Sequence, residues 1–161
     1  MLFRSADVNQ YVVSTSFGTQ IFPGDMMVVT SSQGFIVPYT SGAGFIIGVA
    51  AGGTSAASLS SAVRIPIYDN PDQVFVVQLT TLTSTLVGLG TNIATSVAGS
   101  TAINRSAMMV GSVAPVIGST APLRCIGVHP IENIDGTTGV PANSKVLVRI
   151  TQHALSGQLT T

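Results

Sequence analysis

The residue types that most often do chemistry in proteins are few and widely spaced in this chain. Cys125, the single cysteine, lies four residues before His129, and the other histidine is His153. Side chains four residues apart on a strand lie about 13 Å apart, too far to share a zinc ion with bonds of about 2.0–2.3 Å. We therefore expect a packed thiol at Cys125, an edge or loop imidazole at His129, and a surface or contact residue at His153.

The acidic residues also form no catalytic pattern along the sequence. Asp25, Asp69, Asp72 and Asp135 lie in sequence typical of turns, where an aspartate caps its own backbone. A carboxylate pair for glycoside hydrolysis would have to converge across the fold, an alternative that the sequence leaves open. The chain has no tryptophan, which counts against sugar binding.

Motifs for nucleophilic catalysis and nucleotide binding are missing from the sequence as well. It contains no G-x-S-x-G, the motif that marks a serine nucleophile. Gly42, Gly44 and Gly48 read G-x-G-x-x-x-G, one residue off the dinucleotide fingerprint, and the helix and later acidic residue of that fingerprint are missing. We interpret them as turn and close-packing glycines. The sequence thus predicts no catalytic residue, no metal site and no cofactor.

The composition indicates a protein that works through its surfaces. Of the 161 residues 45% are hydrophobic and 7% charged, and the formal net charge is zero. Globular domains average about 25% charged residues, and here serine and threonine, about a fifth of the chain, replace them. Free monomers usually carry many surface charges for solubility. Much of this surface is therefore expected to be covered by other copies or by partners.

Several partner classes are not expected from the charge and hydropathy patterns. The six basic residues are scattered and form no stripe that would bind phosphates. The N-terminus lacks the apolar core of a signal peptide. The longest apolar run, residues 43–51, is far shorter than the ~20 residues that span a bilayer. We expect synthesis in a cytoplasm, with no nucleic acid and no membrane as partner.

Strand patterns dominate the chain, and no stretch has a clean helical period. Residues 145–150 show the pattern best, because valine or isoleucine stands at every second position. Turns are predicted at residues 23–25, 69–72 and 135–136, which contain Gly or Pro. Further strands are predicted at residues 62–68 and 74–79, with weaker ones at 11–13, 25–30, 35–39, 45–50 and 123–128.

This spacing of strands and turns predicts an all-β fold, a compact β-barrel or β-sandwich. Residues 1–20 are expected to form an extended N-terminal arm, and residues 21–161 a single β domain. Within that domain, residues from about 81 to 112 are rich in Gly, Ala, Ser and Thr. They predict a long excursion from the β framework, as a loop with a short helix near 91–98. Residues 151–161 are expected to form a polar tail.

Seven short blocks of the chain carry a resemblance to known proteins. They read IGVA at 47–50, IPIYD at 65–69, FVVQ at 75–78, GLGTN at 88–92, NRS at 104–106, STAPLRCIGV at 119–128 and ANSKVLVRITQH at 142–153. In these blocks, over about two thirds of its length, the chain resembles a family of tailed-phage head decoration, or cement, proteins. It departs from the family where Asn104 replaces the usual glycine and where segment 132–140 is longer than a plain turn.

The resemblance implies a compact β domain without catalytic residues that binds the outer capsid surface, commonly as trimers at three-fold and quasi-three-fold positions. We therefore expect a structural virion protein whose partners are the major capsid protein and itself, as a homotrimer. An alternative is another phage component, such as a tail-tube or head-completion protein. A third class is a polysaccharide hydrolase. The missing tryptophan and the scattered carboxylates argue against this class.

Seven residues are predicted to contact partners: Phe3, Tyr11, Val12, Val13, Leu86, Leu89 and Arg105. The first four are apolar anchors in the polar arm, and they either contact a neighbour or pack back on their own domain. The two leucines belong to the excursion, which is a candidate subunit contact. The arginine either pairs across a subunit boundary or forms a local salt bridge.

Overall fold

The computed structural model describes residues 8–15, 18–30, 34–40, 44–55, 62–79, 87–88, 90–94, 99–111, 121–129 and 144–156. These residues form eleven strands and no helix. The strands are β1 (Val8–Val12), β2 (Met26–Val29), β3 (Ile36–Pro38), β4 (Ile46–Ala50), β5 (Arg64–Tyr68), β6 (Val74–Gln78), β7 (Gly90–Thr91), β8 (Ile93–Ala94), β9 (Met109–Val110), β10 (Leu123–Val128) and β11 (Lys145–Ile150).

All eight predicted strand segments contain or overlap an observed strand, and β10 and β11 have the predicted bounds. The predicted turns at residues 23–25 and 69–72 are confirmed as well. Gly24 has φ 95° after Pro23, and the Asp25 amide donates to the Phe22 carbonyl at 3.0 Å, which is a type II turn. The turn predicted at 135–136 lies outside the described residues. The two-residue strands β7, β8 and β9 were not predicted.

The strands form two main antiparallel sheets and a small two-stranded one. The five-stranded sheet has the order β1-β5-β4-β2-β3, and the four-stranded sheet has the order β6-β11-β10-β7. The all-β prediction is confirmed, but its β-barrel alternative is wrong because no sheet closes. In the described residues, the two edge strands of the five-stranded sheet meet at a bridge between Val13 and Ile36, where the Ser14 amide donates to the Ile36 carbonyl at 3.1 Å.

Two apolar clusters fill the space around the five-stranded sheet. The first cluster joins the two sheets, with Met26, Val28, Ile46, Leu123, Val146 and Val148 among its members. The second covers the opposite face of the five-stranded sheet, with Val13, Ile21, Met27, Ile36, Ile47, Ile65 and Ile67 among its members. Each fully buried side chain of this size contributes about 1.5–3 kcal/mol. Because both faces of the sheet are buried, β2 and β4 read as continuous apolar runs.

Gly48 allows β4 and β5 to approach closely at the centre of the five-stranded sheet. A Cβ atom at this position would lie 2.1 Å from the Tyr68 carbonyl oxygen, and φ is +154°. Only glycine fits such a position without displacing the neighbouring strand. The close-packing interpretation of this glycine is therefore confirmed.

The predicted arm and excursion are described only in part. Residues 8–12 of the arm form β1, which pairs along its length with β5. Residues 90–91 and 93–94 of the excursion, where the helix was predicted to begin, are strands β7 and β8. Residues 1–7, 16–17, 80–86, 89, 95–98 and 112 lie outside the described residues, so the extended arm and the excursion stay predictions.

Candidate functional site

The structure describes four of the seven predicted contact residues, Tyr11, Val12, Val13 and Arg105. Val13 is 1% exposed and packs in the second apolar cluster. Of the two alternatives for this residue, it therefore packs back on its own domain. Tyr11 and Val12 are half-buried in β1, and Arg105 is exposed at the base of a turn. Phe3, Leu86 and Leu89 lie outside the described residues.

The outer face of the four-stranded sheet exposes an apolar row that the prediction did not include. Val76 in β6 is 52% exposed, and its partner directly across the ladder is the half-buried Leu147 in β11. Val74, two residues before Val76, is 40% exposed on the same face. The alternate residues of both strands point inward to the first apolar cluster. This sheet therefore has apolar side chains on both faces, and the described residues cover only one of them.

A β-bulge extends the apolar row onto β10. The pairing of β10 with β11 shifts between Cys125 and Gly127, so that Ile126 is the extra residue. Ile126 stands two residues after the exposed Arg124, so strand alternation points it to the same outer face, where it is 42% exposed. Leu147 lies beside Gly127, with its Cδ1 atom 3.7 Å from where a Cβ of that glycine would be. We call Val74, Val76, Ile126 and Leu147 the apolar row.

The two arginines that border the apolar row are engaged within their own chain. Arg124 and Arg149 are direct cross-strand partners, an arrangement of like charges that is unfavourable on its own. Arg149 forms an ion pair with Asp72, and its Nε donates to the Pro71 carbonyl at 3.4 Å. Arg124 Nε donates to the Gly88 carbonyl at 3.2 Å. Both charges are therefore directed away from the centre of the face.

A second exposed feature is the turn between Ser100 and Arg105. These two residues pair through both backbone groups, at 2.9 and 3.3 Å. Asn104 has φ 48°, the left-handed conformation that glycine or asparagine adopts most readily. Ile103 is 67% exposed at the tip. The turn therefore presents an apolar side chain and an arginine to solvent.

The base of this turn is held against the five-stranded sheet. Gly99 packs on the Phe22 ring so closely that a Cβ would lie 2.3 Å from it, and the Ser106 amide donates to the Pro23 carbonyl at 3.0 Å. Asp25, 5% exposed, accepts from the Phe22 amide at 2.8 Å, and burial raises the pKa of its carboxyl. These contacts fix the position of the exposed tip.

A polar cluster around the buried Asp69 joins β1 to the end of β5. Asp69 is 3% exposed and accepts hydrogen bonds on Oδ2 from Tyr11 Oη at 2.5 Å and from Asn9 Nδ2 at 2.8 Å. Asn9 and Tyr11 share one face of β1 because they are two residues apart. Burial, together with the hydrogen bond to the Asp69 carboxylate, raises the pKa of Tyr11. These bonds tie the edge strand to its neighbour.

His153 belongs to the same region, and the prediction of a surface or contact residue is wrong. It is 2% exposed, because the chain after β11 crosses to the five-stranded sheet and forms a bridge with Ile46. Its Nδ1 accepts from the Leu155 amide at 3.0 Å, and its buried Nε2 has no partner in the described part of the chain. Burial lowers the pKa of His153, and the charge of Asp69 opposes that shift.

The described residues contain neither a cluster of metal ligands nor a membrane-spanning helix. No group of three or more His, Cys, Asp or Glu residues there is arranged to hold a metal ion. Cys125 is fully buried, as expected for a packed thiol, and burial raises its pKa. No described helix is long and apolar enough to cross a membrane.

Comparison with known proteins gives no match from which a role could be transferred. No protein-family model matches the chain, and no curated protein matches it.

Proposed function

We propose that this chain is a structural virion protein of the decoration type. It binds the outer surface of a phage capsid, stabilises contacts between major capsid subunits, and acts as a homotrimer without catalysis. The observation that carries the proposal is the apolar row, an uncovered apolar face on a folded sheet. The resemblance to cement proteins names the partner, and the geometry supplies a surface for it.

The physical properties of this face suit a subunit contact. An interface whose centre lacks charges avoids the free-energy cost of removing them from water. The row is backed by the first apolar cluster, so its side chains are held in position before binding and lose little conformational entropy. Three such faces in a trimer raise the effective concentration at the capsid, so that weak single contacts bind tightly together.

The proposal is tested by placing a charge in the row and measuring capsid binding. Ile126→Lys puts a lysine on the outer face of β10, an inner strand of the sheet. In the control Leu155→Lys, a lysine replaces a leucine that is 52% exposed outside this face. Each variant is added to heads that lack the protein, and bound protein is measured after sedimentation. We expect affinity to fall at least about tenfold for Ile126→Lys, which is about 1.4 kcal/mol, and to stay unchanged for the control.

The same experiment separates the proposal from its alternatives. Wild-type protein that saturates the head at hundreds of copies and raises its melting temperature supports a cement role. Binding of a handful of copies would instead indicate a head-completion protein, and binding to tails alone a tail component. Equal binding of Ile126→Lys and the control would remove the apolar row from the capsid contact.

A further inference from the structure

The outer face of the four-stranded sheet concentrates positive charge in a chain that has little charge. Three of the chain's six basic residues are exposed on this face of β10 and β11: Arg124, Lys145 and Arg149. Of the described acidic residues, Asp25 and Asp69 are buried, and Asp72 borders this face. The described part of the face therefore has three positive charges and one negative charge.

The two arginines at one end of this face differ in what neutralises them. Arg124 and Arg149 are direct cross-strand partners, and like charges in this position repel each other. Asp72 neutralises Arg149 through their ion pair. Arg124 forms no ion pair with a described residue, so the described part of the chain leaves its charge uncompensated.

The Arg124 side chain is nevertheless held in place. Its Nε donates to the Gly88 carbonyl at 3.2 Å. Gly88 is fixed in turn to β10, because its amide donates to the Cys125 carbonyl at 2.8 Å. The bond through Nε leaves the two terminal amino groups of the guanidinium without a hydrogen bond to a described residue. Arg124 therefore presents unused donors from a position that is fixed before a partner binds, which lowers the entropy cost of binding.

The unused donors of Arg124 fit a carboxylate. A guanidinium presents its N–H groups as a planar fork, which matches the oxygens of a carboxylate or of a phosphate. Ile126 lies two residues from Arg124 on the same face, about 7 Å away, so a partner that covers the apolar row also reaches the arginine. A surface that covers apolar side chains is a protein surface rather than a nucleic-acid backbone, which binds through many phosphate contacts. The anion is then the side chain of an aspartate or a glutamate.

We propose that Arg124 binds a carboxylate of the partner that covers the apolar row. The partner surface is an apolar patch bordered by an aspartate or a glutamate. This inference rests on the proposed function for the identity of that partner, the major capsid protein. An apolar centre with a polar rim, and enrichment in arginine, are the usual composition of a protein interface.

The carboxylate is a condition for tight binding, because the partner changes the surroundings of the arginine. A partner that lies on Ile126 also displaces water from Arg124, and a charge removed from water without a counter-charge is unfavourable. A carboxylate supplies that counter-charge and offsets the repulsion between Arg124 and Arg149. A partner with an uncharged or basic residue at this point should bind less tightly, so Arg124 discriminates among apolar surfaces.

The inference is tested first by removing the charge. Arg124→Gln is compared with the control Arg64→Gln, which neutralises an exposed arginine at the start of β5 in the other sheet. Each variant is added to heads that lack the protein. In about 0.05 M salt we expect Arg124→Gln to bind at least about fivefold more weakly than the wild type, and the control to bind equally. In about 0.5 M salt the difference should shrink to less than about twofold, because salt screens the charge pair.

A second experiment identifies the anion. Arg124→Lys keeps the positive charge and puts an amine where the guanidinium was, and a carbodiimide joins an amine to a carboxylate in direct contact with it. On heads we expect a covalent product between Arg124→Lys and the major capsid protein, mapped to the substituted position by mass spectrometry. The control Arg64→Lys should give no product at its substituted position. Lys145, the single lysine of the wild-type chain, is distinguished by its own peptide.

The outcomes separate this inference from the proposed function. Equal binding of Arg124→Gln and Arg64→Gln would overturn the carboxylate contact, even where Ile126→Lys fails to bind and the apolar row is thereby supported. Weaker binding of Arg124→Gln without a carbodiimide product of Arg124→Lys would assign the contact to another anion, such as a phosphate, and would also overturn it. Wild-type protein that does not bind heads would overturn the proposed function and this inference together.

Discussion

The two main sheets differ in how much of their surface the chain itself covers. The five-stranded sheet has apolar clusters on both faces, and its edge strands β1 and β3 meet at the Val13–Ile36 bridge. Among the described residues, the four-stranded sheet is covered on one face and exposes Val76 and Ile126 on the other. The described residues therefore bury both faces of the five-stranded sheet but only one face of the four-stranded sheet. If the proposed function is correct, substitutions on the outer face of the four-stranded sheet should affect binding, whereas substitutions inside the five-stranded sheet should affect stability.

The comparison is tested most strongly by adding one methyl group to a glycine in each sheet. Gly48→Ala puts a Cβ 2.1 Å from the Tyr68 carbonyl oxygen at a positive φ, so the neighbouring strand must move. We expect a loss of about 3 kcal/mol or more in the free energy of unfolding. In Gly127→Ala the nearest atom, Leu147 Cδ1, is at 3.7 Å, and the loss should stay below about 1 kcal/mol. Urea unfolding measures both, and equal losses would contradict the contrast.

A smaller effect is expected where β1 is tied to its sheet. Tyr11→Phe removes the hydroxyl that donates to the buried Asp69 carboxylate. Among the described contacts, Asn9 is then the remaining donor to that carboxylate. A lost hydrogen bond to a buried charged group costs about 1–3 kcal/mol. In an Asp69→Asn background the same substitution should cost less than half as much, and a double-mutant cycle by urea unfolding measures the difference. Full additivity would show that the bond does not stabilise β1.

The pH dependence of stability tests how the C-terminal crossing is held. Because burial lowers the pKa of His153 below its usual 6.5, its contribution to stability is present above that value and lost as the pH falls through the folded-state pKa. The melting temperature should therefore drop between about pH 7.5 and 5.5, and His153→Gln should remove most of that drop. Asp25 acts in the opposite direction, since its raised pKa favours the fold below its ordinary value of 3.8. If the melting temperature of His153→Gln fell by as much as that of the wild type over this pH range, another titrating group would be responsible for the drop.

Sequence reasoning predicted the strands well and the surface poorly, for physical reasons. Strand bounds depend on local alternation and turn residues, which is why β10 and β11 were predicted with their observed ends. Which face of a strand is buried depends on what packs against it. When both faces are apolar, as in β6, the alternation of residues does not reveal which face that is. The burial of His153 likewise depends on the chain crossing to Ile46, a contact distant in sequence. One available signal was Leu147, an apolar residue in an otherwise charged outward series between Lys145 and Arg149.

The smallest effect on stability is expected on the exposed face, where the effect on assembly should be largest. Val76→Thr keeps the β-branched shape and changes only a side chain that is 52% exposed, so unfolding should change by less than about 0.5 kcal/mol. Val148→Thr, one residue past Leu147 on the buried side of β11, puts a hydroxyl into the first apolar cluster and should cost about 1–3 kcal/mol. Urea unfolding should show the larger loss of stability for Val148→Thr, and head sedimentation should show the larger loss of binding for Val76→Thr. If Val76→Thr destabilised the protein as much as Val148→Thr, the outer face would be part of the core, and the distinction between the two sheets would fail.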